Sequence, residues 1–124
     1  MLDPNFILLY VEHPENSAAL YAKLLDRQPV DASPTFVMFA LDSGMRLGLW
    51  GREGVEPAAQ RSTDARGELA FAVADNATVL QRHADLSALG LTILQEPVQL
   101  DFGFTFVAAD LDGHRLRVFA PGGE

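Results

Sequence analysis

Apolar and polar positions along the chain follow two periods, and their order predicts the elements. Residues 6–12, FILLYVE, alternate with period two: Phe6, Leu8 and Tyr10 fall on one side, Ile7, Leu9 and Val11 on the other. Apolar residues on both sides predict a strand covered on both faces. His13-Pro14-Glu15 then opens a helix. The first helical turn has no use for the N–H that Pro lacks, and Glu15 suits the positive end of the helix dipole. Ser17, Leu20, Tyr21, Leu24 and Leu25 give the apolar stripe, and Pro29 is expected to stop it. Residues 28–31 read as a short strand. Residues 35–41 and 45–50 read as longer ones, joined by the turn Asp42-Ser43-Gly44.

The stretch 51–67, GREGVEPAAQRSTDARG, has no periodicity and reads as a linker. After it the order restarts. In the strand 68–73, Leu69, Phe71 and Val73 oppose Glu68, Ala70 and Ala72. Asp75 is the expected N-cap of a helix with the stripe Val79, Leu80, His83 and Leu86, closed by Gly90. Residues 92–99 form a strand that Pro97 places at an edge. Residues 104–119 form a hairpin turning at Asp110-Leu111-Asp112-Gly113-His114, because Gly accepts the positive φ that a tight turn needs. In its second arm Leu116 and Val118 face one way and Arg115, Arg117 and Phe119 the other. The chain is therefore expected to be α+β, two βαβββ modules in which element order repeats without visible sequence repetition. Module one is 1–51, the linker 52–66 and module two 67–124, within one domain.

Composition narrows the chemistry. The 124 residues, 48% of them hydrophobic, suffice for a core without staples. With no Cys there is no disulfide, thiol nucleophile or zinc–thiolate site. The N-terminal apolar run is too short to span a membrane and has no basic flank, so a cytoplasmic protein without membrane association is expected. The net charge of −8, with no basic cluster, argues against a nucleic-acid partner. Asp110 and Asp112 belong to the hairpin turn, where Asp serves its own backbone. His13, His83 and His114 lack the spacing of a ligand set, and no Gly-rich phosphate loop or nucleophile elbow is present.

Three stretches carry a resemblance. LLYVEHPENSAALYAKLLD, GELAFAV and DLDGHRLRVF resemble, in order and spacing, the first strand and helix, the fifth strand and the closing hairpin of the vicinal-oxygen-chelate superfamily. That superfamily includes glyoxalase I, the extradiol dioxygenases and the bleomycin- and fosfomycin-resistance proteins. The resemblance implies a curved, largely antiparallel eight-stranded sheet, the glyoxalase/bleomycin-resistance fold. LLYVEHPENSAALY, GLWGREGVEP and DFGFTFVAADLDGHRLRVF are most similar to the phenazine-antibiotic resistance type. This likeness implies a homodimer that binds its drug without modifying it.

The superfamily's enzymes hold a divalent metal at positions that correspond here to Phe6, Glu68 and Arg117. Phe6 cannot ligate and Arg117 would repel the ion, so neither a metal site nor a catalytic set nor a cofactor is expected. What remains is an apolar, aromatic-lined cleft suited to a planar aromatic ligand. Its expected lining is Phe6, Leu8, Tyr10, Trp50, Glu68, Phe102, Gly103, Arg117 and Phe119. Arg117 suits a ligand carboxylate or an aromatic face, and it also suits a closed pair with Glu68. The facing of Trp50 depends on a strand register that alternation leaves open. Phe102-Gly103 reads as a mobile lip or a plain turn. Sequestration of a phenazine-type antibiotic is the leading function. A metal-dependent lyase or dioxygenase of the same superfamily and a bleomycin-type trap for a cationic drug stand as alternatives.

Overall fold

A computed structural model of the chain describes residues 1–61 and 65–122. The chain divides into two compact units, Met1–Arg61 and Ser62–Glu124. The first comprises strand β1 (Phe6–Val11), helix α1 (Pro14–Leu25), and strands β2 (Asp31–Ala32), β3 (Phe36–Ala40) and β4 (Arg46–Gly51). The second comprises β5 (Glu68–Ala72), α2 (Asn76–Ala88), β6 (Thr92–Leu100), β7 (Gly103–Ala109) and β8 (Arg115–Pro121). The eight strands are hydrogen-bonded as two four-stranded sheets, ordered β1-β4-β3-β2 and β5-β8-β7-β6. In each unit the first strand runs parallel to the last and the remaining pairs are antiparallel. The βαβββ order read from the sequence is thus present twice, with the same strand order.

In the first unit, α1 packs on the sheet face that carries Val11, Val37, Phe39, Leu47 and Leu49, all at most 2% exposed. Tyr21, fully buried, is the helix's largest contribution to that core, and burial of a side chain this size is worth about 2–3 kcal/mol. Pro14 occupies the first helical turn as expected. The helix ends earlier than Pro29 would dictate. Asp26 adopts the left-handed conformation (φ 51°), and its N–H bonds back to Ala22 O. Arg27 then leaves the helix and donates to Ala40 O (2.9 Å) and Asp42 Oδ1 (3.2 Å), tying the helix end to the β3–β4 turn. The short second strand lies at 31–32 rather than 28–31, where Val30 and Asp31 meet Met38. Residues 52–61 stay with this unit. Val55 is buried, Arg52 donates to Ala59 O (3.1 Å), and Glu12 at the end of β1 pairs with Arg61 and lies 3.7 Å from Arg52.

In the second unit, α2 packs on the face formed by Phe106, Ala108, Leu116 and Val118, with Val79 and Leu86 as its buried residues. Leu80 is 51% exposed and lies off the expected stripe. His83 keeps its place on the stripe: its ring meets Phe106 edge-on at 5.2 Å and its Nε2 pairs with Glu96 (2.9 Å). β6 is an edge strand with two register shifts, one between Ile93 and Gln95 and one between Gln95 and Val98 that spans Pro97. The β7–β8 hairpin closes on Asp110. Its carboxylate accepts from the N–H of Asp112 (3.0 Å) and of His114 (2.8 Å), and contacts the His114 ring (2.8 Å). Gly113 takes the positive φ of 91°.

Asp75 caps α2, accepting from Thr78 N–H (2.8 Å) and from the Thr78 hydroxyl (2.5 Å). The Thr78 hydroxyl first, then its N–H, hold the Asp75 carboxyl below the ordinary carboxylate range. A depressed folded-state pKa adds stability that is present above the unfolded-state value and is lost as pH falls through the folded-state value. Stability measured by urea unfolding across the acid range should therefore fall less steeply in Asp75→Ala than in wild type, and equal slopes would contradict the cap.

Candidate functional site

Each sheet has two faces and each unit supplies one helix, so one face of each sheet is left uncovered by its unit's own helix. In the first unit the register pairs Tyr10 with Trp50 and Phe36 with Trp50, placing all three on the face opposite α1. Tyr10 and Trp50 meet edge to face at 6.3 Å between ring centroids. Phe6, Leu8 and Tyr10 lie on this open face, between 39% and 45% exposed. The sequence could not orient Trp50, and the parallel β1–β4 pairing does so.

Gly48 shapes this face. It pairs with Leu8 on one side and Met38 on the other. A Cβ at this position would fall 2.8 Å from both Leu8 Cδ2 and Phe36 Cζ. The missing side chain lets Leu8 and Phe36 lie down against the strand, giving a low apolar surface beside Trp50 and Tyr10. Phe36, Met38 and Gly48 were not among the expected site residues. Residues 35–41 and 45–50 were read as strands without assigned faces, and only the cross-strand register places these residues beside Trp50.

In the second unit Glu68 of β5, Arg117 and Phe119 of β8, and Phe102 of the β6–β7 turn come together on the face opposite α2. Arg117 Nε donates to Glu68 Oε1 at 2.5 Å, forming the expected pair across adjacent strands. Arg117 Nη1 donates to Thr105 Oγ1 (3.1 Å), and the Thr105 hydroxyl donates to Val118 O (2.9 Å). Because that hydroxyl's one proton goes to Val118, its lone pair is turned toward Arg117. Phe102 lies under the guanidinium at 5.5 Å and edge-on to Phe119 at 5.9 Å. The Arg117 side chain is 16% exposed and that of Glu68 31%. Gly103 opens β7, and any side chain there would strike the Ala120 carbonyl oxygen, which fixes the path of the turn that carries Phe102.

Thr105, fully buried, was not read from the sequence as part of this group. It joins the group through the β7–β8 register, which sets Thr105 opposite Phe119 and Val107 opposite Arg117. Arg115 shares the same face and is exposed. His83 and His114 are held by Glu96 and Asp110, away from the Glu68–Arg117 group in the contacts they make.

The resemblance read from the sequence maps metal ligands onto Phe6, Glu68 and Arg117. Among the described residues no three His, Cys, Asp or Glu side chains converge as a ligand set. Glu68, the one donor at those positions, is engaged by a guanidinium, which would oppose a divalent cation at the same oxygens. The residues present do not fit the ion.

Residues 4–118 match the Glyoxalase/Bleomycin resistance protein/Dioxygenase superfamily, and the chain belongs to it. The phenazine antibiotic resistance protein EhpR of Enterobacter agglomerans is 26% identical over 118 residues, covering 94% of this chain and 91% of that protein. Protein ATC0852 of Agrobacterium tumefaciens, solved by NMR, is 48% identical with a TM-score of 0.91, covering 99% of this chain and all of that one. A superfamily enzyme of Burkholderia phytofirmans, 19% identical with a TM-score of 0.84, covers 98% of this chain and all of that one and shares the fold. No helix among the described residues is long and apolar enough to cross a membrane.

Gly48→Ala should leave the unfolding midpoint nearly unchanged, because the far ends of Leu8 and Phe36 can swing away on an open face, and should shift the Trp50 emission maximum as they do. Denaturant unfolding followed by Trp50 fluorescence measures both, and an unmoved emission maximum would contradict the close approach of Leu8 and Phe36.

Proposed function

We propose that this protein binds and sequesters a planar aromatic small molecule of the phenazine type without modifying it, and that it works as a cytoplasmic homodimer. The observation that carries the reading is the aromatic character of the open sheet faces. Tyr10, Trp50 and Phe36 stand on one, and Phe102 and Phe119 flank Arg117 on the other. Flat rings gain most by stacking on such side chains, and a single polar group then sets orientation. Likeness to EhpR, a phenazine antibiotic resistance protein, supports the choice of ligand class. The donor set supports binding over metal-assisted chemistry, since Glu68 is matched by Arg117. Exposure of Phe6, Leu8 and Tyr10 supports a further copy of the chain as cover for apolar surface.

Titration with a phenazine should quench Trp50 fluorescence saturably, and the phenazine should be recovered unchanged after incubation. Calorimetry should show Trp50→Ala binding roughly tenfold more weakly, equivalent to about 1.4 kcal/mol of lost stacking. Sedimentation should give twice the chain mass. Absence of saturable binding, or full affinity in Trp50→Ala, would contradict the reading, and a chemically altered phenazine would point to an enzyme instead.

A further inference from the structure

Resting on that reading, the geometry points to Glu68 as the residue that sets the charge of the ligand. We infer that Arg117, already neutralised by Glu68, selects an uncharged oxygen or nitrogen acceptor on the aromatic ligand over a carboxylate.

A guanidinium has five N–H donors in a rigid plane. In Arg117, Nε–H goes to Glu68 and one N–H of Nη1 to Thr105. The other N–H of Nη1 and both of Nη2 have no partner among the described residues. Phe102 covers a face of the group, so these donors are offered along its edge. Glu68, Thr105 and Phe102 restrain the guanidinium before any ligand arrives, which reduces the ordering cost of binding. Thr105 cannot turn away without losing its own bond to Val118 O.

The charge balance then decides what the free edge accepts. Arg117 and Glu68 together carry no net charge, with the Arg117 side chain half as exposed as that of Glu68. A ligand carboxylate would gain attraction from Arg117 and meet repulsion from Glu68 across the same guanidinium. It would also enter a protein of net charge −8. A carbonyl, or a ring nitrogen beside a carbonyl, takes the same N–H bonds without adding a second anion. Glu68 is therefore a positioning residue for Arg117 and the determinant of selectivity between neutral and anionic ligands of one shape.

The test compares a phenazine carboxamide with the phenazine carboxylate of the same ring position by calorimetry at neutral pH, on the full chain. Wild type should bind the carboxamide roughly tenfold more tightly. In Glu68→Gln, which keeps the size and removes the charge, that preference should vanish or invert. A purely structural role for Glu68 would weaken both ligands alike and leave their ratio unmoved. Equal or tighter binding of the carboxylate by wild type overturns the inference, as does an unchanged ratio in Glu68→Gln. If circular dichroism shows that the variant does not fold, the wild-type ratio alone decides. Binding of neither ligand removes the proposed function, and this inference with it, whereas a carboxylate preference removes the inference and leaves the proposed function standing.

Discussion

One helix can cover only one face of a sheet, and both units of this protein are built under that constraint. The strands nevertheless carry apolar side chains on both faces. In β1, Ile7, Leu9 and Val11 alternate with Phe6, Leu8 and Tyr10, and only the Val11 side shares a face with the core beneath α1. In β8, Leu116 and Val118 are at most 4% exposed and pack under α2, while Arg117 and Phe119 point away from it. Leaving large rings uncovered forgoes the favourable burial that folding otherwise exploits. A chain that retains them on the open side of each sheet has surface available for a partner or ligand.

The second open face shows how a charged residue can be kept on an apolar sheet. Arg117 is matched by a carboxylate across one strand, a hydroxyl across the other and an aromatic ring beneath. Breaking such a set by removing one partner is costly, because it strands a partly desolvated charge. The same set opposes divalent-metal binding at Glu68. Arg117 thus links what the position excludes to the acceptors its remaining N–H groups, without a partner among the described residues, can donate to.

Much of this was legible in the sequence where the controlling physics is local. Alternation in 6–11 and 115–119 assigned the side chains of β1 and the first five of β8 to their faces, and Asp110-Gly113 announced the hairpin. Asp75 was readable as a cap because capping needs only the next three residues. What was not legible depended on contacts far apart in the chain. Trp50 is oriented by a parallel partner in β1, and Thr105 enters the Arg117 group through the β7–β8 register. Leu80 was read with Val79, His83 and Leu86 on the helical stripe, yet it alone of the four is turned outward, a choice made by where α2 rests on its sheet. The end of α1 was misread because Asp26 adopts a left-handed conformation that no glycine advertised.

A planar aromatic ligand is expected to stack on the open sheet face that carries Tyr10 and Trp50. The Trp50 side chain reports on this directly, since this 13.5 kDa chain has a single indole N–H. Two-dimensional ¹H–¹⁵N spectra recorded during titration with a phenazine carboxamide should show that signal shifting along a saturating curve. If it stays in place while the ligand is shown to bind elsewhere, or if no signal moves at all, the reading is wrong.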